Sequence, residues 1–146
     1  MSIEKLLISS CLMGENVKYN GKNNLIDLAQ LREQYELIPF CPEVAGGLPT
    51  PRLPSEIVSF TPLKLINNKG KDVTHNFIIG AKKTVNLVKK EGITKALLKA
   101  NSPSCSSAFV YDGSFERQLV KGKGITTLFL REIGVEVFDE NSNFWL

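Results

Sequence analysis

Short apolar runs alternate with stretches of helical periodicity along almost the whole chain. Lys5–Ser9, Glu36–Phe40, Ile93–Lys99 and Val135–Phe138 are compact apolar segments of strand length. Leu25, Leu28, Ala29, Arg32 and Tyr35 recur at helical spacing, which predicts a helix over 25–35. Val73, Phe77, Ala81, Val85 and Val88 form one apolar stripe between Asp72, a candidate N-cap, and Gly92, a candidate C-cap. A third helix is expected over 125–133. Such alternation predicts an α/β fold: a Rossmann-like, mostly parallel sheet with helices packed on its faces, joined by right-handed crossovers.

Three segments interrupt this order. Residues 56–60 and 63–66 read as short strands, paired as a hairpin. Residues 42–54 hold Pro42, Pro49, Pro51, Pro54 and the pair Gly46-Gly47, so they are expected to be a shaped loop, neither regular helix nor central strand. Tyr111-Asp112-Gly113 marks a turn. At 146 residues the chain is long enough to bury a core without staples, and residues 1–146 are expected to form a single domain.

Composition excludes several classes. With 42% hydrophobic and 23% charged residues the chain is neither disordered nor collagen-like. A net charge of +3 is weak for a protein that neutralises phosphates, so direct tRNA binding by this chain alone is not expected. Lys82, Lys83, Lys89 and Lys90 read as a solvated helix face, and His75, the single histidine, as a surface residue. No segment approaches the length of a membrane span or of a signal-peptide core. A cytoplasmic location, where thiols stay reduced, is the expectation.

The three cysteines are odd in number and far apart, a poor fit to a disulfide framework. Cys11 and Cys41 each lie just past the end of a predicted strand, and Cys105 lies a few residues past the third. In open parallel sheets the crevice beyond the strand C-termini is where ligands bind, so all three sulfurs can meet at one edge. Free cysteines also pack as small apolar residues, but these three lie beside Pro, Gly and Ser. Convergent thiolates suit a soft metal centre, either zinc or an iron–sulfur cluster, and with no fourth cysteine one coordination position stays open.

Nearby residues extend the candidate site. Glu43 lies two residues past Cys41, within reach of the same crevice as a general base, or else is a solvated loop carboxylate. Ser102-Pro103-Ser104-Cys105 resembles a turn or helix start with Ser102 as its cap. Gly46 and Gly47 either let the backbone approach a ligand or form a turn. Arg52 either offsets the charge of a thiolate-ligated centre or covers surface.

Ser10-Cys11-Leu12-Met13-Gly14, Pro39-Phe40-Cys41-Pro42-Glu43, Gly46-Gly47-Leu48-Pro49-Thr50-Pro51-Arg52, Ser102-Pro103-Ser104-Cys105 and Tyr111-Asp112-Gly113, in this order, resemble the thiouracil desulfidase family of small bacterial and archaeal proteins. The resemblance implies a 4Fe–4S cluster held by Cys11, Cys41 and Cys105, with the fourth iron open to substrate. It implies catalytic roles for Glu43, as the acid/base that readies water, and Ser102, as a hydrogen-bond partner of the ring. Gly46, Gly47 and Ser104 are expected at the substrate. The implied reaction replaces the thiocarbonyl sulfur of a small thiolated pyrimidine with oxygen, without net redox change. Ser106 follows Cys105 where relatives often carry Gly, and Val17 stands where some carry Cys. The competing reading is a metal- or nucleotide-binding module without turnover.

Overall fold

Successive residues of the first strand, β1 (Lys5–Ser9), serve two different cores. Leu6 and Ile8 pack with Leu12, Leu31, Leu97 and Trp145. Leu7 packs on the opposite side with Val88, Ala96, Leu98, Leu130 and Val137. A strand buried on both faces must be apolar at consecutive positions, which is why 6–8 form an unbroken run. The computed structural model describes residues 3–146.

Around β1 the sheet is parallel throughout. β2 (Glu36–Phe40), β5 (Lys95–Leu97) and β8 (Glu136–Phe138) complete it in the order β2-β1-β5-β8. Pro39, opposite Ile8, lacks an N–H and is tolerated because β2 is an edge strand. α1 (Ala29–Gln34) leads into β2, α3 (Thr74–Glu91) precedes β5, and α4 (Ile125–Glu132) precedes β8. The α/β architecture with a mostly parallel sheet is therefore the one expected.

Two antiparallel hairpins stand outside this sheet. β3 (Ser55–Phe60) pairs with β4 (Leu63–Asn67), as expected from the sequence. β6 (Phe109–Tyr111) pairs with β7 (Leu119–Lys121), a hairpin for which only the turn was anticipated. Their apolar residues build a separate core, in which Ile57, Leu65 and Val110 meet Val73, Phe77, Ala81 and Ile125.

Local chemistry explains where boundaries depart from expectation. The helix expected over 25–35 begins only at Ala29, because the Asp27 carboxylate accepts the Ala29 N–H at 3.0 Å and starts the helix there. Leu25 is left 61% exposed. Asp72 accepts the Thr74 N–H at 2.9 Å, so Val73 is the N-cap of α3, one residue later than expected; Gly92 ends the helix with φ +67°. β5 is shorter than 93–99 because the Lys99 N–H turns to the Ser9 hydroxyl. The segment 42–54 is not loop throughout: Pro42–Ala45 is a helical turn, α2, with Pro42 at its first position, where proline's missing N–H has no helical partner to lose. His75 and Lys82, Lys83, Lys89 and Lys90 are exposed on α3.

Candidate functional site

Each cysteine is carried by a short turn at the C-terminal edge of the parallel sheet. After β1 a 3-10 turn, Ser10–Met13, buries Leu12 completely and ends at Gly14 with φ +91°. The Cys11 carbonyl accepts N–H groups from Gly14 and, at 2.9 Å, from Asn24, which fixes the turn against the following loop. Cys41 is the N-cap residue of α2, in extended conformation. Cys105 ends a turn in which the Ser102 hydroxyl oxygen accepts the Ser104 and Cys105 N–H groups, at 3.1 and 3.0 Å. Ser102 therefore caps a turn, as its sequence context suggested, and no helix follows.

The third turn is docked on α4. The carbonyls of Pro103 and Ser104 accept the Ile125 and Thr126 N–H groups at 2.9 and 2.8 Å, and the Thr127 hydroxyl donates to the Cys105 carbonyl at 2.8 Å. The helix's otherwise unpaired first N–H groups thus fix the Cys105 turn. Ser106 adds to this: its buried hydroxyl donates to the Phe109 carbonyl and accepts the Phe109 N–H, closing the bend into β6.

All three cysteines line one cavity of about 510 Å³, together with Glu43, Arg52 and Ser102. Glu43 is not a solvated loop carboxylate. Arg52 donates to Glu43 Oε2 through Nε at 2.8 Å and lies 2.6 Å from it through Nη2, with both side chains largely buried. Arg52 also donates to the Val17 carbonyl at 3.1 Å, tying the loop after the first turn to α2. The guanidinium thus fixes one oxygen of Glu43, while Oε1 takes no hydrogen bond from the described residues.

The thiols are shifted in one direction. Burial pushes Cys11 and Cys41 up; Asn24 and Lys99 oppose this at Cys11, and the Val44 N–H and Arg52 oppose it at Cys41. Cys105 is driven well above the ordinary thiol range, first by burial and then by the charges of Glu43, Cys41 and Cys11. Cys11 and Cys41 thus both lie within electrostatic reach of Cys105. Among the described residues, no three His, Cys, Asp or Glu side chains stand close enough to hold a single metal ion. A cluster makes a different demand: each thiolate takes its own iron, so the sulfurs need to face a common space and need not meet at a point. Three thiols on one cavity wall fit that demand. Binding a cationic centre would also deprotonate thiols that burial otherwise keeps neutral.

Three residues expected at the substrate are not in the cavity lining. Gly46 and Gly47 do not line the cavity. Gly46 instead lets α2 lie against α3: a Cβ there would fall 2.0 Å from the Asn76 carbonyl oxygen, and one on Gly80 would fall 2.0 Å from the Pro42 carbonyl oxygen. Gly47 takes φ +92° beside Asn76, whose amide donates to the Gly46 carbonyl at 2.9 Å. Ser104 is buried behind the wall, its hydroxyl 2.7 Å from that of Thr126.

Comparison with known proteins decides the family. A family model described as 2-thiouracil desulfurase matches residues 6–142. The chain belongs to the 2-thiouracil desulfurase family. Within the reach of that family, the chain is 36% identical to an uncharacterized protein of Bacillus subtilis (strain 168), YbbK, over 144 residues, covering 93% of this chain and 95% of the relative. A solved structure described as the 4Fe–4S-dependent thiouracil desulfidase TudS matches with a TM-score of 0.90 and 42% identity, over 96% of this chain and 93% of that one. No helix among the described residues is long and apolar enough to cross a membrane.

Sequence reasoning missed part of the cavity lining. Lys99 lines it just beyond β5, held by Glu140 at 2.9 Å, and the strand-end rule could have found it. Glu56 and Phe115 also line it, but they come from the hairpin layer, where no periodicity pointed to a site.

Proposed function

We propose that this chain is a cluster-dependent, non-redox desulfidase that replaces the thiocarbonyl sulfur of a thiolated pyrimidine, such as thiouracil, 4-thiouridine or its nucleotide, with oxygen from water. The observation that carries this reading is the shared cavity: Cys11, Cys41, Cys105, Glu43 and Ser102 come from three separate strand ends and line one space. Cys11, Cys41 and Cys105 would hold a 4Fe–4S cluster, leaving one iron without a protein ligand. When bound, the cluster supplies a thiophilic Lewis acid that polarises the carbon–sulfur bond.

The remaining work falls to the chain's own side chains. With Oε2 held by Arg52, Glu43 has Oε1 left to accept a proton from the attacking water. The Ser102 oxygen already accepts two backbone N–H groups, so its own O–H is the donor left for the edge of the ring. A carbon–oxygen bond forms and the carbon–sulfur bond breaks. Both protons of water end on the products and the sulfur departs as hydrogen sulfide, so no electron acceptor is needed. In this reading the chain acts as a single desulfidase-like domain in the reducing cytoplasm, on a small substrate and without binding tRNA directly.

Oxygen-free purification, iron and sulfide quantification, and loss of the thiocarbonyl absorption test the reading. Cluster-loaded protein should convert thiouracil or a 4-thiouridine derivative with release of sulfide. Zinc in place of iron, with ligand bound and no sulfide released, would overturn it in favour of a binding module.

A further inference from the structure

The loop between β6 and β7 is built at unusual conformational expense. Phe115 and Arg117 both adopt left-handed backbone, with φ +61° and +60°, a region bulky residues rarely occupy. Gly113 presses the loop onto β3 so closely that a Cβ would fall 2.9 Å from the Ile57 carbonyl oxygen and 3.1 Å from Val58 Cα. What holds the loop there is a carboxylate. Glu56 of β3, only 8% exposed, accepts the Gly113 N–H at 2.9 Å and the Phe115 N–H at 3.2 Å through a single oxygen.

Burying a carboxylate without a cationic partner is costly, and among the described residues Glu56 forms no ion pair. The two peptide N–H groups it accepts belong to the segment that carries Phe115. Both Glu56 and Phe115 line the same cavity as the three cysteines, Glu43 and Ser102. A strained loop at a ligand cavity, pinned by a buried group from another element, is the pattern of a preorganised wall.

The residues already assigned leave one need unmet. Glu43 and Ser102 address atoms at the edge of a flat ring, and edge contacts fix its orientation in the plane alone. An aromatic side chain in the cavity can fix the remaining dimension by stacking. We propose that Phe115 is the surface on which the substrate's heteroaromatic ring packs, and that Glu56 is the positioning residue that holds Phe115 in place. For the identity of the ring this rests on the desulfidase reading.

The test uses the full cluster-loaded chain and two readouts: KM and kcat for 2-thiouracil, and the dissociation constant of uracil, which carries no sulfur, by calorimetry. Phe115→Ala should raise both KM and the uracil dissociation constant about tenfold, the size expected for losing one ring-on-ring contact, with kcat and iron content unchanged. Glu56→Ala should shift the same two quantities in the same direction. Glu56→Gln, whose amide oxygen still accepts the Gly113 and Phe115 N–H groups, should stay near wild type. A purely structural role for Glu56 would lower the melting temperature and iron content and leave KM unmoved.

Unchanged KM and uracil binding in Phe115→Ala, or a loss confined to kcat or iron, overturns the proposal. If wild type binds uracil but converts no thiopyrimidine, the desulfidase reading fails while uracil affinity still judges Phe115. If wild type binds neither base, both fall.

Discussion

The cavity has two walls of different construction. One is the C-terminal edge of the parallel sheet, where short turns after β1, β2 and β5 carry Cys11, Cys41 and Cys105. The other is the hairpin layer, where β3 and the β6–β7 loop present Glu56 and Phe115. The sheet edge takes its geometry from parallel pairing itself: strands of one direction end on one side, so residues distant in sequence arrive together. The hairpin layer has no such rule. Its residues are placed by tertiary contacts such as the grip of Glu56 on the Gly113 and Phe115 N–H groups. One wall follows from topology, and the other from side chains acting across elements.

If the sheet edge holds the cluster, its thiols should fail together. Cys11→Ala, Cys41→Ala and Cys105→Ala should each reduce iron and sulfide content and bring turnover to background, measured on reconstituted protein. Chelating iron from the wild type should do the same. An alanine variant that keeps full iron and activity would remove that sulfur from the ligand set. Glu43→Gln should separate chemistry from assembly, retaining iron while turnover falls about 10²–10⁴-fold, the usual contribution of a positioned acid/base. Normal turnover in that variant would remove Glu43 from the proton path.

The same contrast explains what could be read from the residues. Lys5–Ser9 forms a strand at the predicted bounds because two-sided burial demands an unbroken apolar run, and Glu36–Phe40 pairs beside it at the sheet edge, with Leu37 half-buried on one core and Ile38 and Phe40 on the other. Once the strands are placed, the edge that gathers the sulfurs follows. The β6–β7 hairpin stayed hidden because Val110 is the one buried residue of its two strands, so neither an unbroken apolar run nor a one-sided alternation marks it. The packing role of Gly46 was not legible because the surface it lies against, Asn76 and Gly80 of α3, is thirty or more positions away and leaves no local trace. Arg52 showed its charge in the sequence but not its partner.

Gly46 and Gly80 provide a prediction about the joint behind the sheet-edge wall, where α2 packs on α3. Alanine at either position would drive a Cβ to 2.0 Å from a backbone oxygen of the facing helix, an atom that cannot swing away. The helices must separate, at a cost at the upper end of the about 1–3 kcal/mol typical of overpacking. Because α2 directly follows Cys41 and contains Glu43, the separation displaces both. Thermal unfolding should fall, and turnover with it, although neither glycine touches the cavity. A variant that loses stability but keeps full turnover would show that the cavity tolerates movement of α2.

The smallest expected effect distinguishes two roles for Ser104. As a substrate contact, Ser104→Ala would raise KM. As the structure places it, the Ser104 hydroxyl is shared with Thr126 at 2.7 Å, both residues being buried between the Cys105 turn and α4. Removing it should cost about 1 kcal/mol of stability and leave KM unchanged. The double variant Ser104→Ala/Thr126→Val should cost less than the sum of the singles, because no buried hydroxyl is then left without a partner. Urea unfolding of the four proteins in that cycle measures the coupling directly. A raised KM in Ser104→Ala with no coupling to Thr126 would return Ser104 to the substrate side of the wall; coupling with KM unmoved assigns it to the joint that holds Cys105 against the sheet edge.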